Sequence, residues 1–97
     1  MKEINDKSIE TLFSAILALK DKDECSRFFT DLCTISELKS MSQRMEVALM
    51  LKKGSVYTDI AEKTGASTAT ISRVSRCLNY GSGGYRKAIE KMERGKK

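Results

Sequence analysis

Hydrophobic residues recur at helical spacing along this chain, and that periodicity restricts its fold more than any other feature. Ile9, Leu12, Phe13, Ile16 and Leu17 stand at i, i+3, i+4, i+7 and i+8, which places them along one face of a helix. Proline, the strongest helix breaker, is absent from the 97 residues, and no long segment alternates apolar and polar residues. The pattern therefore predicts an all-α fold.

The same reasoning predicts six helices, with capping signals at several of their ends. Asp23 is the expected N-cap of the second helix, and Thr34 with Glu37 forms the pattern of a capping box before the third. Gly54, after two lysines, is expected to end the third helix in the left-handed conformation. The predicted helices cover residues 7–20, 23–33, 35–52, 57–64, 67–78 and 84–94.

A chain of this length supports one domain, 1–97, in which residues 7–53 form a scaffold, 57–78 a central motif and 84–94 a C-terminal helix. The scaffold carries a second apolar stripe, at Cys25, Phe28, Phe29, Leu32 and Cys33. The expected inner face of the third helix comprises Leu38, Met41, Met45, Ala48 and Leu49. A small domain has a marginal core, so this surplus of apolar surface predicts a two-fold homodimer. A monomer in which the first two helices cap the core is the alternative.

The positive charge of the chain is concentrated in one segment. Of 18 basic and 13 acidic residues, which give a formal charge of +5, no acidic residue lies within residues 63–89. The cations of this acid-free segment are Lys63, Arg73, Arg76, Arg86 and Lys87. The first 37 residues, in contrast, hold five basic and eight acidic residues. This asymmetry indicates a surface for a polyanion at one part of the chain.

The central segment, YTDIAEKTGASTATISRVSRCL, has the pattern of a helix-turn-helix. Gly65 can supply the positive φ of a tight turn, and small Ala61 allows two helices to approach closely. Ser67 is the expected N-cap of the second helix. The buried seam between the helices is expected at Ile60, Ala66, Ile71 and Val74.

The outer face of the second helix in this motif predicts a DNA-binding surface. It carries short hydrogen-bonding residues and arginines with no acid among them, which suits phosphates and base edges in the major groove. The candidate DNA-binding residues are Thr58, Lys63, Ser67, Thr68, Ala69, Thr70, Ser72, Arg73 and Arg76. The alternative is a helical hairpin whose polar residues are only a solvated face, which leaves the missing acids unexplained.

Several other classes of function lack their usual residues. Histidine is absent, and no serine, lysine or carboxylate spacing suggests a nucleophile with its base, so the sequence predicts neither an enzyme nor a metal site. Residues 79–84 are expected to form a flexible loop, and Cys77 a small core residue. Because MKEINDKSIE lacks the apolar core of a signal peptide and no apolar run is long enough to span a membrane, a cytoplasmic location is expected.

From about Phe28 to Met92, the sequence resembles the Trp repressor family, and particularly its small Trp-repressor-like members. The resemblance lies in Leu32-Cys33-Thr34, in Ser42-Gln43-Arg44 on a long helix, and above all in the segment TGASTATISR, residues 64–73. It implies six helices per subunit, interwoven into a dimer whose outer helical pairs enter successive major grooves of a pseudo-palindromic operator.

The resemblance also implies a ligand pocket, for which the matching positions are Thr34, Arg44, Thr70, Arg73, Val74 and Cys77. Two of these differ from the residues of the repressor. Val74 replaces a glycine beside the indole site, and Cys77 replaces a serine that helps to hold the amino group. Added bulk and a lost oxygen acceptor argue against tryptophan as corepressor. A different small ligand, or no ligand or cofactor at all, stays open.

Two classes of function follow from these observations. The first is a sequence-specific transcriptional regulator, expected to be a repressor, that binds double-stranded DNA as a homodimer and reads the major groove with residues 67–78. The second is a helical module that keeps this fold but binds a protein or RNA without operator DNA.

Overall fold

The computed structural model describes residues 6–95, and all regular structure in that part of the chain is helical. Six helices follow one another: α1 Lys7–Leu17, α2 Lys22–Leu32, α3 Ile35–Lys52, α4 Tyr57–Thr64, α5 Thr68–Tyr80 and α6 Gly84–Arg94. The all-α prediction is confirmed. Residues 1–5 and 96–97 of the predicted domain, which include half of the segment considered for a signal peptide, lie outside the described residues.

The helix ends differ from the predicted ones at α1, α2 and α5. Helix α1 ends at Leu17, three residues earlier than expected, and α5 extends to Tyr80, two residues further. The N-cap of α2 is Asp21 and not Asp23, because the Asp21 carboxylate accepts a hydrogen bond from the Glu24 amide at 2.9 Å. Asp23 lies inside the helix, where it pairs with Arg27 one turn later.

Both ends of α3 have the predicted capping structure. The Glu37 amide donates to the Thr34 hydroxyl at 3.0 Å, and the Thr34 amide donates to the Glu37 carboxylate at 2.8 Å, which completes a capping box. At the other end, Gly54 has φ +91°, and the amides of Gly54 and Ser55 donate to the carbonyls of Leu51 and Met50. These paired bonds form a Schellman motif that satisfies the last carbonyls of the helix.

The chain divides between Leu38 and Lys39 into two compact units. The first contains α1, α2 and the start of α3, and none of its described residues is buried. Phe28 and Phe29 pack edge to face, with ring centroids 5.2 Å apart. The side chains of Phe13, Leu17 and Leu32 are 45%, 84% and 50% exposed. The single domain 1–97 and its subdivisions stay predictions.

The second unit contains a continuous aliphatic core. Its buried residues are Val47, Ala48, Ile60, Ala66, Ile71, Val74, Leu78 and Ile89. Burial of each of the larger aliphatic side chains contributes about 1.5–3 kcal/mol. The predicted seam between α4 and α5 is confirmed, because all four of its members belong to this core.

The expected inner face of α3 is only partly correct. Ala48 is buried as expected, but Met41 is exposed, and the fully buried Val47 was missed. The apolar residues of α3 run consecutively from Val47 to Leu51, so they surround the helix and do not mark one face.

No helix within residues 6–95 is both long enough and apolar enough to cross a membrane.

Candidate nucleic-acid interface

The turn between α4 and α5 depends on a glycine with a left-handed backbone. Gly65 has φ +75° and ψ +5°, and its amide donates to the Ala61 carbonyl at 2.9 Å. A Cβ at this position would lie 3.9 Å from its nearest neighbour, the side-chain amide of Gln43, which is ordinary contact. Glycine is therefore required here by the backbone conformation and not by lack of space.

Side-chain hydrogen bonds of Thr64 and Gln43 stabilise this turn. The Thr64 hydroxyl donates to the Ile60 carbonyl at 2.7 Å and accepts a hydrogen bond from the Ala66 amide at 3.1 Å. The side-chain amide of Gln43 on α3 donates to the Thr64 carbonyl at 3.1 Å. The carbonyls of Ala61 and Thr64 and the Ala66 amide thus have partners, and the bond from α3 helps to fix where the turn lies.

Ser67 begins the second helix of the motif. Its side chain accepts a hydrogen bond from the Thr70 amide and donates one to the Thr70 hydroxyl, both at 3.1 Å. The predicted N-cap at Ser67 is confirmed. The capped helix begins at Thr68, one residue later than the range given from sequence.

Helix α5 separates a buried from an exposed face. Ile71, Val74 and Leu78 are at most 6% exposed and pack into the core. Arg73 and Arg76 are exposed on the other side, and within residues 6–95 neither forms a hydrogen bond or an ion pair. Two guanidinium groups on one helix, with no acid nearby in sequence, leave all their donors available to an anionic partner.

The other candidate DNA-binding residues lie around this face. Ser67, Thr68 and Ala69 are exposed at the start of α5, whereas Thr70 and Ser72 are half-buried. Thr58 in the first turn of α4 and Lys63 in its last turn are exposed. All nine candidates therefore belong to the two helices of the motif or to its turn.

Lys63 also lines an open groove between α3 and α4, with a volume of about 550 Å³. Its wall comprises Lys39, Ser42, Gln43, Glu46, Met50, Lys63 and Thr64. The lining includes two lysines and a glutamate, so charges of both signs lie in the groove. The sequence predicts no ligand at this place.

Sequence reasoning missed the role of Arg86 and Asn79 at the far end of α5. The Arg86 guanidinium on α6 donates from Nε to the Leu78 carbonyl at 2.9 Å and from Nη2 to the Asn79 side-chain oxygen at 3.0 Å. The sequence showed Arg86 only as one of the five cations of the acid-free segment, and its spacing indicated no role at the end of α5. Asn79 and Tyr80 are helical and not part of the expected loop, and Gly84 begins α6.

Comparison with known proteins decides the family. The model of the family described as Trp repressor protein matches residues 7–93, which is almost the entire chain. The chain belongs to the Trp repressor family. This confirms the resemblance found in the sequence, and it extends the match towards the N-terminus by α1 and the first half of α2.

Three similar proteins align with the chain over nearly its full length. The uncharacterized protein YerC of Bacillus subtilis is 54% identical over 91 residues, which cover 94% of this chain and 88% of YerC. A solved structure of a TrpR-like protein from Eubacterium eligens is 55% identical, covers 100% of both chains and superposes with a TM-score of 0.92. A putative Trp repressor from Staphylococcus aureus is 44% identical over 95% of this chain and 92% of its own, with a TM-score of 0.90.

The residues that match the Trp repressor ligand pocket differ in their surroundings. The Thr34 hydroxyl caps α3, and Arg44 on the same helix is half-buried. On α5, Val74 is 1% exposed and belongs to the core, whereas Arg73 and Cys77 are exposed one turn apart. The prediction that Cys77 is a core residue is wrong, because Cys77 is exposed and lies one turn after the exposed Arg73 on α5. The pocket itself stays a prediction.

Proposed function

We propose that this protein is a sequence-specific DNA-binding transcriptional regulator, acting as a repressor, that reads the major groove with the exposed face of α5. The observation that carries the proposal is the position of Arg73 and Arg76 on that face, exposed and without a partner within residues 6–95. Arginine can bind guanine through two parallel hydrogen bonds, and short hydroxyl side chains reach phosphates or base edges. Membership of a family of DNA-binding regulators supports the same function.

We assign a DNA contact to each candidate residue from its exposure and its position on α4 or α5. Ser67, Thr68 and Thr70 at the N-terminal end of α5 are expected to contact phosphates or base edges, and Arg73 and Arg76 to grip bases further along. Thr58 and Lys63 on α4 are expected to contact the backbone, since the first helix of such motifs crosses it. Ala69 and Ser72 complete the proposed contact surface.

The protein is further proposed to bind as a homodimer. Helices α1 and α2 bury no residue, although each carries a stripe of aliphatic and aromatic side chains. Ile35, at the start of α3, is also 66% exposed. A second copy of the chain would remove this surface from water, and its two-fold symmetry would require a pseudo-palindromic operator with half-sites about 34 Å apart.

The proposed regulator does not use tryptophan as its corepressor. Thr34, Arg44, Thr70, Arg73, Val74 and Cys77 match the family's pocket positions, but Val74 is bulkier than the glycine of the repressor and Cys77 lacks the serine's oxygen acceptor. The effect of tryptophan on DNA binding is therefore one arm of the experiment.

The experiment is selection of bound sites from fragmented genomic DNA, with and without tryptophan, followed by affinity measurement on the selected duplex. Replacement of both Arg73 and Arg76 by Ala is expected to abolish the selection of particular fragments. Because both arginines are expected to grip bases, the slope of log K against log salt should change little, whereas each lost phosphate contact would make it shallower by about 0.9. The matched control replaces Lys20 and Lys22, exposed cations in the acidic part of the chain, by Ala and is expected to retain selection.

If the wild-type protein enriches no duplex sequence, the regulator proposal fails and binding to a protein or RNA becomes the better hypothesis. If it enriches a sequence and the double arginine variant enriches it equally, the assignment of α5 as the reading helix fails.

A further inference from the structure

Helix α5 lacks a cation of its own in its last turn. The helix ends at Tyr80, and the Gly81 amide donates to the Cys77 carbonyl at 2.9 Å as its last backbone bond. The carbonyls that follow Cys77 in the helix have no later helical amide to bind. A helix end of this kind is stabilised by donors and by positive charge, because the helix dipole is negative there.

Arg86, which lies on α6, supplies both hydrogen-bond donors and a positive charge to this end of α5. Its Nε donates to the Leu78 carbonyl at 2.9 Å, and its Nη2 donates to the Asn79 side-chain oxygen at 3.0 Å. Asn79 in turn donates from its side-chain nitrogen to the Ser75 carbonyl at 3.0 Å, one turn back. The guanidinium thus holds two consecutive residues at the end of α5, in a geometry that lysine cannot reproduce.

The position of Arg86 is itself fixed by packing. Ile89, one turn later on α6, is 0% exposed in the core, and half-buried Tyr85 packs against that core. Helix α6 therefore presents Arg86 to the end of α5 from a turn whose neighbouring residues pack into or against the core.

We propose that Arg86 is a positioning residue for DNA recognition, which locks the C-terminal turn of the reading helix and does not itself contact DNA. The inference rests on the proposed function of α5. Its consequence is that one of the five cations in the acid-free segment is used within the protein. Arg76 lies between Ser75 and Leu78, whose carbonyls accept the bonds from Asn79 and Arg86, and it is the reading residue that this lock would position.

The test compares Arg86→Ala with Lys87→Ala. Both remove one positive charge from adjacent residues of α6, but Lys87 forms no side-chain hydrogen bond or ion pair within residues 6–95. Hydrogen exchange of the free protein measures the amides of the last turn of α5 through Gly81. Affinity for the selected duplex is measured over a range of salt concentrations.

Arg86→Ala is expected to speed exchange in that turn and to weaken DNA binding roughly threefold to tenfold, in line with loss of charge-assisted bonds at a partly exposed site. The slope of log K against log salt should stay unchanged. Lys87→Ala is expected to leave exchange in the turn unchanged. Asn79→Ala, which keeps the charge of the chain, is expected to speed exchange as well, and it decides the matter if Arg86→Ala does not fold.

Three results overturn the proposal: unchanged exchange in Arg86→Ala, equal effects of Arg86→Ala and Lys87→Ala, or a salt slope about 0.9 shallower in Arg86→Ala, which marks a phosphate contact. If the wild-type protein binds no duplex, the proposed function fails. The exchange measurements still report whether Arg86 locks the helix end.

Discussion

The side-chain amide of Gln43 donates a hydrogen bond to the backbone carbonyl of Thr64, 3.1 Å away, and so joins α3 to the turn of the helix-turn-helix motif. These two residues are far apart in sequence, and the bond is partly buried. It therefore makes the position of the motif depend on α3 as well as on the packing of its own two helices.

Replacement of Gln43 by Ala is expected to lower the free energy of unfolding by about 1 kcal/mol, because the Thr64 carbonyl loses its donor in a partly buried site. Urea denaturation measures the change. Ser40→Ala, at an exposed position of the same helix, is the control and should stay within about 0.5 kcal/mol of wild type. Equal stability of the two variants would contradict the role of Gln43.

Replacement of Gly65 by Ala is expected to destabilise the protein by about 1–2 kcal/mol, since a Cβ is unfavourable at positive φ. The matched control is Gly84→Ala in the first turn of α6, where a Cβ would meet only the Ser82 hydroxyl at 3.9 Å. That control should be neutral or stabilise by up to about 1 kcal/mol. Thermal unfolding of both variants gives the comparison, and a Gly65→Ala protein as stable as wild type would show that the turn tolerates a side chain.

Two substitutions of Ser67 separate its effect on stability from its effect on DNA binding. Ser67→Ala removes the N-cap of α5 and is expected to cost about 1 kcal/mol of stability. Ser67→Asp retains a capping oxygen, so its stability should stay near that of wild type, but its negative charge on the proposed DNA surface should weaken binding several-fold. Unfolding and DNA-binding curves of the two variants would show this reversal. Undiminished DNA affinity in Ser67→Asp would place this end of α5 away from the phosphates.

The stabilisation of α1 by its N-cap, Asp6, is expected to depend on pH in the acid range. Hydrogen bonds from the Ser8 hydroxyl at 2.6 Å and the Ser8 amide at 2.7 Å lower the pKa of its carboxyl below the ordinary 3.8. The stabilisation of α1 by this carboxylate is therefore complete above the unfolded pKa and is lost as the pH falls through the lower folded value. An NMR titration of the carboxyl and of the Ser8 amide should show a midpoint below 3.8, and Asp6→Asn should remove the transition. A midpoint at or above the ordinary value would contradict the cap.

Local signals predicted the parts of the fold that depend on local structure. Gly65, Ser67 and the Thr34–Glu37 box each act within a few residues, so their sequence patterns were sufficient. The seam of Ile60, Ala66, Ile71 and Val74 followed from helical spacing alone. Residues at fixed offsets along two short helices leave few ways to pack.

Other features depend on contacts that a single sequence does not display. Helix α5 continues to Tyr80 where Arg86 binds its end from α6. The burial of Val47 could not be separated from that of its apolar neighbours, which surround α3. Asp21 and Asp23 were equally suitable caps by residue type, and only the Asp21 bond to the Glu24 amide distinguishes them.

The division of α5 into two faces has a consequence for how such proteins diverge. Its core contacts use Ile71, Val74 and Leu78, and these are separate from the exposed Ala69, Arg73 and Arg76. Substitutions at exposed positions usually change stability by no more than about 0.5 kcal/mol. On the proposed function, a lineage can exchange the outward residues of this helix, and with them the DNA sequence that the protein binds, while selection for a folded protein acts on a different set of side chains. Duplicated copies of such a gene would be free to acquire new targets without first acquiring a new scaffold.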